Sequence, residues 1–411
     1  MNKPTLWVMV GLSGSGKSSV AKEIAESNPD TIIVSSDSIR EELTGDYGNQ
    51  ENNEEVFKVF HKRIREALEN NMNVIADATN ITMRSRRAII ENIKGIECRK
   101  IAYLIPKPFD QCKLDNLNRQ YPVPEEVLDK QIRKFQIPFM KEGFDEGIIH
   151  YIHNKNRLDA LKMFDNMEGF NQQNPHHTST LADHCKNAHE LFSRHGYPSK
   201  YNWAALFHDY GKLYCKELDD DGIARFYGHD SIGSYMILEN FAEIFYKDVA
   251  DMCFLINYHM MPFDWTTEKS KERWKKRFGE YKYQMLLDFH ECDKARWDTW
   301  GCNADLETWL HDFSDRVYRI LEYRKPYEYT PYEMENKFMD ESIYRDTHYK
   351  IVFIEEVIEL PDKDVLIGFR EVLDVNQNED GEYECELADS IEYYKLSEIL
   401  GNNIYTYSEE D

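Results

Sequence analysis

Two sets of residues in this sequence have the types and spacing to do chemistry on phosphate. The first is Gly11-Leu-Ser-Gly-Ser-Gly16-Lys17-Ser18, a G-x-x-x-x-G-K-S run. Glycines at those positions let backbone N–H groups turn inward around an anion at the start of a helix. Gly11, Ser13, Gly14, Ser15, Gly16, Lys17, Ser18 and Ser19 are therefore expected to cradle a nucleotide's phosphates, with Lys17 reaching the β/γ pair and the Ser18 hydroxyl coordinating Mg2+. ATP, or another nucleoside triphosphate, with Mg2+ is the expected cofactor. The second set is His184, the adjacent His208-Asp209 of "ALFHDYGK", His229, His259 and Asp293. Imidazoles mixed with carboxylates suit a divalent transition metal: Mn2+, Ni2+, Co2+, Fe2+ or Zn2+. One buried histidine is ordinarily a packed core residue. Six such groups, each on or beside a different expected helix, point to a site. Lys212, four residues after His208, would share a helix face with it and offer a cation to a bound phosphate. His290 and Glu291 compete with Asp293 for the last place; His176, His177, His189 and His195 are read as structural.

The first set needs a sheet behind it. "PTLWVMV" (4–10) reads as a strand running into the phosphate loop, and "SSVAKEIAESNP" as a helix closed by Asn28-Pro29. "TIIVSSD" (31–37) reads as a buried strand, "NEEVFKVFHKRIREALENNMN" as an amphipathic helix and "VIADATN" (74–80) as a strand. The helix "MRSRRAIIENIKG" and the strand "RKIAYLIP" (99–106) follow, then a helical stretch broken by Pro-Val-Pro. Alternation of this kind predicts a parallel α/β domain. Asp37 would lie at the carboxyl edge of the sheet, where such proteins bind ligands, and could accept a proton from an attacking hydroxyl. Arg40, one turn on, could pin a substrate phosphate. The plainer alternative makes Asp37 a helix cap and Arg40 a solvated charge. Arg84, Arg86 and Arg87 lie on one short helix, which is either a nucleic-acid contact or an exposed basic face.

From about residue 156 the alternation stops. Residues 178–325 read as successive helices, and 331–411 as β-rich segments ("YKIVFIEEVIEL", "DVLIGFREVLDV", "GEYECELADS") with a turn at Glu379-Asp380-Gly381. The chain thus divides into 1–155, 156–330 and an acidic 331–411. The net charge of −25 disfavours nucleic acid at first sight. It is unevenly spread: residues 1–155 hold 22 Lys+Arg against 23 Asp+Glu, and 331–411 hold 6 against 23. Eight cysteines without a CxxC pair suggest a reduced, cytoplasmic setting. No run approaches the roughly 18–20 apolar residues of a membrane helix, and the N-terminus does not read as a signal peptide. A homo-oligomer is compatible with all of this.

The P-loop, "SSDSIR", "ADATNITMRSRR" and "NRQYPVP" together resemble the phage-type polynucleotide 5′-kinase family and its P-loop kinase relatives over roughly residues 4–152. The resemblance implies an α/β P-loop kinase domain with Asp37 as general base on a 5′-hydroxyl and Arg40 on the neighbouring phosphate. It gives Asp77 and Thr79 a supporting place, and makes Arg119 a lid arginine on the transferring phosphoryl. The lid often carries two arginines in that family, and "LNRQYPVP" has one. The order H…HD…H…H…D, preceded by "NPHHTSTLADH", resembles the HD-domain metal phosphohydrolases over roughly 165–325. That likeness implies an all-α HD domain, with His184, His208, Asp209 and Asp293 as primary ligands. His229 and His259 would bind a second metal or the scissile phosphate, Lys212 would steady the leaving phosphate, and a metal-activated water would be the nucleophile. A small α+β module would close the chain.

Joined, the two resemblances imply a bifunctional enzyme that heals nucleic-acid ends, RNA before DNA, by phosphorylating 5′-OH ends and clearing 2′,3′-cyclic phosphate or 3′-phosphate. A nucleic-acid ligase would act downstream. In the known HD and polynucleotide-kinase pairing the HD module precedes the kinase; here the order is reversed. Two rivals stay open: a nucleoside-type kinase fused to a nucleotidase, and a nucleotide-sensing regulator with a degenerate HD site.

Overall fold

The computed structural model describes residues 3–47, 52–150, 152, 154, 158, 160–173, 180–245 and 247–295, and beyond these the backbone of six strands between 337 and 408. His176 and His177 lie outside the described residues. Chain order begins β1 (Thr5–Val10), α1 (Lys17–Ser27), β2 (Thr31–Ser35), α2 (Ser36–Thr44), α3 (Asn53–Glu69), β3 (Asn73–Asp77), α4 (Met83–Asn92), β4 (Arg99–Leu104), α5 (Phe109–Leu117), α6 (Glu125–Ile132) and β5 (Glu146–Ile149). The strands form one parallel sheet in the order β2-β3-β1-β4-β5. Trp7, Met9, Ile75 and Ile101 pack with Val20 and Ala21 of α1 in the core.

Three local expectations shift. The second strand stops at Ser35, whose hydroxyl accepts from the Ser38 N–H at 3.4 Å, so Asp37 sits in the first turn of α2 rather than on the strand. The long helix ends at Glu69, because Asn73 is already in β3. The short strand Glu146–Ile149 was not expected, since four residues leave little periodic signal.

Helices follow: α7 (Ala160–Met167), α8 (Leu181–Ser193), α9 (Ser199–Leu206), α10 (His229–Phe245), α11 (Lys247–Tyr258), α12 (Glu268–Phe278) and α13 (Glu280–Lys294). Two short strands, β6 (Glu217–Leu218) and β7 (Ala224–Arg225), pair antiparallel between them, so this region is not purely helical. Met1–Leu158, Lys162–Phe192 and Trp203–Gly301 form one compact unit. The second unit comprises Asp159–Leu161, Ser193–Asn202 and Cys302–Asp411. Its described strands are β8 (Lys337–Asp340), β9 (Ile351–Glu359), β10 (Val365–Gln377), β11 (Tyr383–Leu387), β12 (Glu392–Lys395) and β13 (Tyr405–Ser408). They form an antiparallel sheet whose three longest strands fall on the β-rich segments expected from the sequence.

Within the first unit, the segment following α6 is held from both sides. Arg86 and Glu142 are both 0 % exposed in their side chains and form a two-pronged ion pair, at 2.8 and 2.6 Å. Arg86 also donates to the carbonyls of Asn80 and Gln136. It is therefore a structural arginine, which corrects the nucleic-acid expectation for that residue. From the helical side, Asn257 accepts from the Ile137 N–H at 2.8 Å and donates to the Phe135 carbonyl at 3.0 Å. Phe139 packs edge-on against Phe254, Tyr258 and Phe278. Glu239 of α10 accepts from the Phe109 N–H, and burial pushes its carboxyl up to about 8.

Glu142→Ala leaves Arg86 a buried, unpaired charge and is expected to cost about 3–5 kcal/mol, read as a lowered denaturant midpoint. Glu239 binds a proton more tightly folded than unfolded. Its contribution to stability is thus largest below about 4.5 and declines as pH rises to about 8. Glu239→Gln should flatten that decline, gaining on the parent protein at pH 8 relative to pH 5 in urea titrations.

Candidate functional site

The phosphate loop lies between β1 and α1, as its chemistry requires. Gly14 has φ +80°, and a Cβ there would lie 2.2 Å from the Cys112 carbonyl oxygen, so only glycine fits. Lys17 is buried, and its Nζ donates to the Leu12 carbonyl at 2.7 Å, beside Ser15 Oγ at 3.5 Å. Burial lowers the Lys17 pKa and Asp77 opposes it. Ser18 Oγ donates to Asp77 Oδ2 at 2.8 Å, which brings the expected Mg2+ hydroxyl onto the carboxylate ending β3. Asp77 is itself raised by burial and restrained by Lys17 and Ser18. Thr79 accepts from the Gly11 N–H through its carbonyl.

A cleft of about 500 Å³ opens over this loop, lined by Gly14, Lys17, Ser18 and Ser19 together with Asp37, Arg40 and Arg119. Arg40 Nη1 pairs with Asp37 Oδ1 at 2.8 Å, and Arg119 Nη2 lies 3.4 Å from Asp37 Oδ2. Arg40 is buried and its second amino group donates to Asn53. Neither residue fits the plainer alternative: Ser35 is the cap and Arg40 is not solvated. Two contributors have no sequence signal. Asn53 opens α3, and Gln131 of α6 both accepts from the Ser13 N–H and donates to Ser13 Oγ, at 2.8 and 2.9 Å.

The second set converges in the same compact unit. Asp209 is 2 % exposed, and its two oxygens face different partners. Oδ2 lies 3.3 Å from His184 Nε2, 3.4 Å from His208 Nε2 and 2.6 Å from Lys212 Nζ. Oδ1 lies 3.2 Å from His229 Nε2 and 3.8 Å from His259 Nε2. Asp293 Oδ1 approaches His184 and His208 at 3.0 and 3.1 Å. The competition at the last position resolves toward Asp293: His290 stacks edge-on with Phe263, and Glu291 is exposed beside Lys294.

Three of the rings are aimed the same way. Nδ1 of His208, His229 and His259 each meets a backbone carbonyl, of Ala205, Phe226 and Ile256, at 2.7–2.8 Å. With Nδ1 donating, Nε2 offers its lone pair to the interior, the orientation a metal ligand takes. His208 Nε2 is enclosed and makes no hydrogen bond. Two donor groupings result, His184–His208–Asp293 and Asp209–His229–His259, each within 4.8 Å. An N/O set of this kind fits a divalent transition metal. Cys185, which sequence reading passed over, puts its sulfur within 4.8 Å of donor atoms of His208 and Asp209.

Lys212 departs from expectation. Helix α9 ends at Leu206, and His208-Asp209 lead into a 3-10 turn, Tyr210–Tyr214, so His208 and Lys212 do not share an α-helix face. Lys212 is buried against Asp209 and Gln172. Gly211 forces this geometry, because a Cβ there would lie 2.0 Å from the His229 carbonyl oxygen.

A phosphate loop after the first strand of a β2-β3-β1-β4-β5 parallel sheet, with one carboxylate just past the second strand and another ending the third, defines a P-loop kinase-like domain. Comparison with known proteins agrees: residues 6–138 match the AAA domain family. An L-seryl-tRNA(Sec) kinase of Methanococcus maripaludis is 31% identical over 145 residues, 34% of this chain and 56% of that protein. The chain thus spans about half the length of that curated relative. Among solved structures, the Pnkp1/Rnl/Hen1 RNA repair complex aligns over 39% of this chain and 52% of the matched chain, at 23% identity and a TM-score of 0.32. A fungal RNA kinase aligns over 62% and 96%, at 13% identity and a TM-score of 0.28. No helix among the described residues is long and apolar enough to cross a membrane.

Burial opposes a charge on His184, but hydrogen bonds that it donates to Asp209 and Asp293 hold its pKa up at about 9. A metal must displace that proton. Any uptake of Mn2+ or Zn2+ by these residues should therefore release protons, with apparent affinity rising as pH approaches about 9. Calorimetry in two buffers of different ionisation enthalpy measures the release. Proton-neutral binding at pH 7 would contradict this picture.

Proposed function

We propose that the protein heals broken nucleic-acid ends, phosphorylating a 5′-hydroxyl from ATP at the first site and removing a 2′,3′-cyclic phosphate or 3′-phosphate at the second, as an HD-type phosphohydrolase. The observation that carries the kinase half is Asp37, held by Arg40 and Arg119 in the same cleft as Lys17. Asp37 takes the proton as the hydroxyl oxygen bonds to the γ-phosphorus and the bond to the leaving ADP oxygen breaks. Arg119 and Lys17 bear on the charge that develops, which is where this transfer gains most. Ser18 and Asp77 would hold Mg2+. Similarity to a kinase named for a tRNA substrate favours a hydroxyl carried on RNA.

In the second site His184, His208, Asp209 and Asp293 would hold one metal, and Asp209 with His229 and His259 another. A bound metal would supply Lewis-acid polarisation of phosphate and a water of lowered pKa. The chain's own part is to orient the imidazoles through backbone carbonyls and to keep Asp209 ionised beside Lys212. A ligase would use the resulting ends. The rival reading, a nucleoside-type kinase joined to a nucleotidase, is favoured by the net charge of −25.

The separating experiment incubates an RNA bearing 5′-OH and 2′,3′-cyclic phosphate with ATP and a divalent metal, then analyses both ends. Both should be converted; labelling of free nucleosides alone would overturn end-healing. Lys17→Ala should reduce 5′ phosphorylation at least 100-fold and spare 3′ processing, and Asp209→Ala the reverse, consistent with the roughly 10²–10³-fold cost of removing one electrostatic donor. If Lys17→Ala also stopped phosphate release, two separate sites would be wrong.

A further inference from the structure

The outer surface of α12 carries charge opposite in sign to the molecule. Its sequence, Glu268-Lys-Ser-Lys-Glu-Arg-Trp-Lys-Lys-Arg-Phe278, is rich in Lys and Arg although the chain's net charge is −25. The charges are sorted by face. Lys269, Arg273, Lys276 and Arg277 follow i, i+4, i+7, i+8 spacing and so line one side, while Trp274 and Phe278 are buried on another. Glu268 pairs with Lys271 and Glu280 with Lys275, lysines off this stripe. Glu272 borders the stripe, yet among the described residues no carboxylate reaches salt-bridge distance of its four cations.

The stripe is also built rather than loose. The Arg273 and Arg277 guanidiniums lie over the Trp274 ring, 5.4 and 4.6 Å from its centroid. Such stacking restricts long side chains before any ligand arrives. The stripe continues onto α4. The turn Met140–Glu142 touches both α4 and α12, and Arg277 feels Arg87 as a nearby like charge, after burial, with Arg273 adding to it. Arg87 has only a 3.8 Å contact to Glu91, and Arg84 is exposed one turn before it. Like charges gathered in this way repel one another, and a row of anions relieves that repulsion. From Lys269 to Arg277 the helix rises about 12 Å, so the cations form a row rather than a point.

We propose that Lys269, Arg273, Lys276 and Arg277, extended by Arg84 and Arg87, form a track for the sugar–phosphate backbone of a nucleic-acid strand. The choice of nucleic acid among polyanions rests on the end-healing reading. The track touches phosphates, so it holds the strand without reading its sequence. It also relocates the role first considered for the α4 arginines, with Arg86 excluded by burial.

The test uses the full chain and a 20-nucleotide single-stranded RNA with a 3′ fluorophore and a 5′-phosphate, which the kinase cannot modify. Fluorescence anisotropy over a NaCl series gives affinity and its salt slope for the parent protein, Lys269→Ala/Lys276→Ala and Arg273→Glu/Lys276→Glu. Removing one cation from a phosphate lowers the slope by about 0.7, so the double-alanine variant should fall by about 1.4 in slope and bind at least several-fold more weakly at low salt. Lys58→Glu, on α3, should change neither quantity. Parent-like affinity and slope in the double-alanine variant, or no salt-dependent binding by the parent protein, overturns the proposal. Lys269 and Lys276 stand apart from Trp274's stacked arginines, so a folding defect confined to the charge-reversal variant still leaves the alanine comparison decisive. ATP-dependent phosphorylation of a nucleoside 3′-monophosphate is read in parallel. Its absence from every protein refutes end-healing without altering the binding result, and its presence with unaltered binding refutes the track alone.

Discussion

A single buried carboxylate organises the helical part of this molecule. An ionised Asp209 at 2 % exposure demands compensation from several directions. Lys212 provides the full charge at 2.6 Å, and imidazoles from α8, α10 and the end of α11 surround both oxygens. Burial alone would push Asp209 up; Lys212, His208 and His184 hold it well below the ordinary carboxylate range. The imidazoles of His184, His229 and His259 are delivered by different helices, so the carboxylate specifies how those helices converge. Gly211 is part of the same constraint, since the turn bearing Asp209 and Lys212 must press against the start of α10.

The kinase-like sheet and the helices around Asp209 share an interior. Arg86 and Asn257 both bond the backbone of residues 135–137: Arg86 donates to the Gln136 carbonyl, and Asn257 accepts from the Ile137 N–H and donates to the Phe135 carbonyl. Helix α6 lies between: Gln131 grips Ser13 of the phosphate loop, and Arg133, just beyond it, donates to the Tyr227 carbonyl and pairs with Glu217. A displacement of α6 would therefore be felt at both candidate sites. That joins residues 1–155 to the helices more closely than a linker-separated pair of domains.

Much of the architecture was legible in the residues. The phosphate loop announces itself because glycine spacing, a preceding apolar strand and a following helix are all local. The ordered histidines and aspartates were legible for a related reason: six metal-type ligands in one stretch exceed what packing needs. Side-chain direction was less accessible. Arg84, Arg86 and Arg87 look alike in sequence, but only Arg86 meets the buried Glu142, 56 residues away. Asp37 was expected at the end of a strand, and the Ser35 cap places it in the first turn of a helix. Lys212 was expected on a helix face and lies in a tight turn.

The sequence by itself determined the class of the first domain and nominated most of the residues that meet in each cluster. Those depend on residue types at short, regular spacing and on apolar periodicity, which act locally. Tertiary structure decided which oxygen of Asp209 meets which imidazole, that Asp293 and not Glu291 or His290 joins them, and that Gln131 and Asn53 support the phosphate cleft. These outcomes turn on contacts between distant segments and on how completely each charge loses its water. A helix pattern cannot encode such contacts, because it specifies which face is buried without specifying what will cover it.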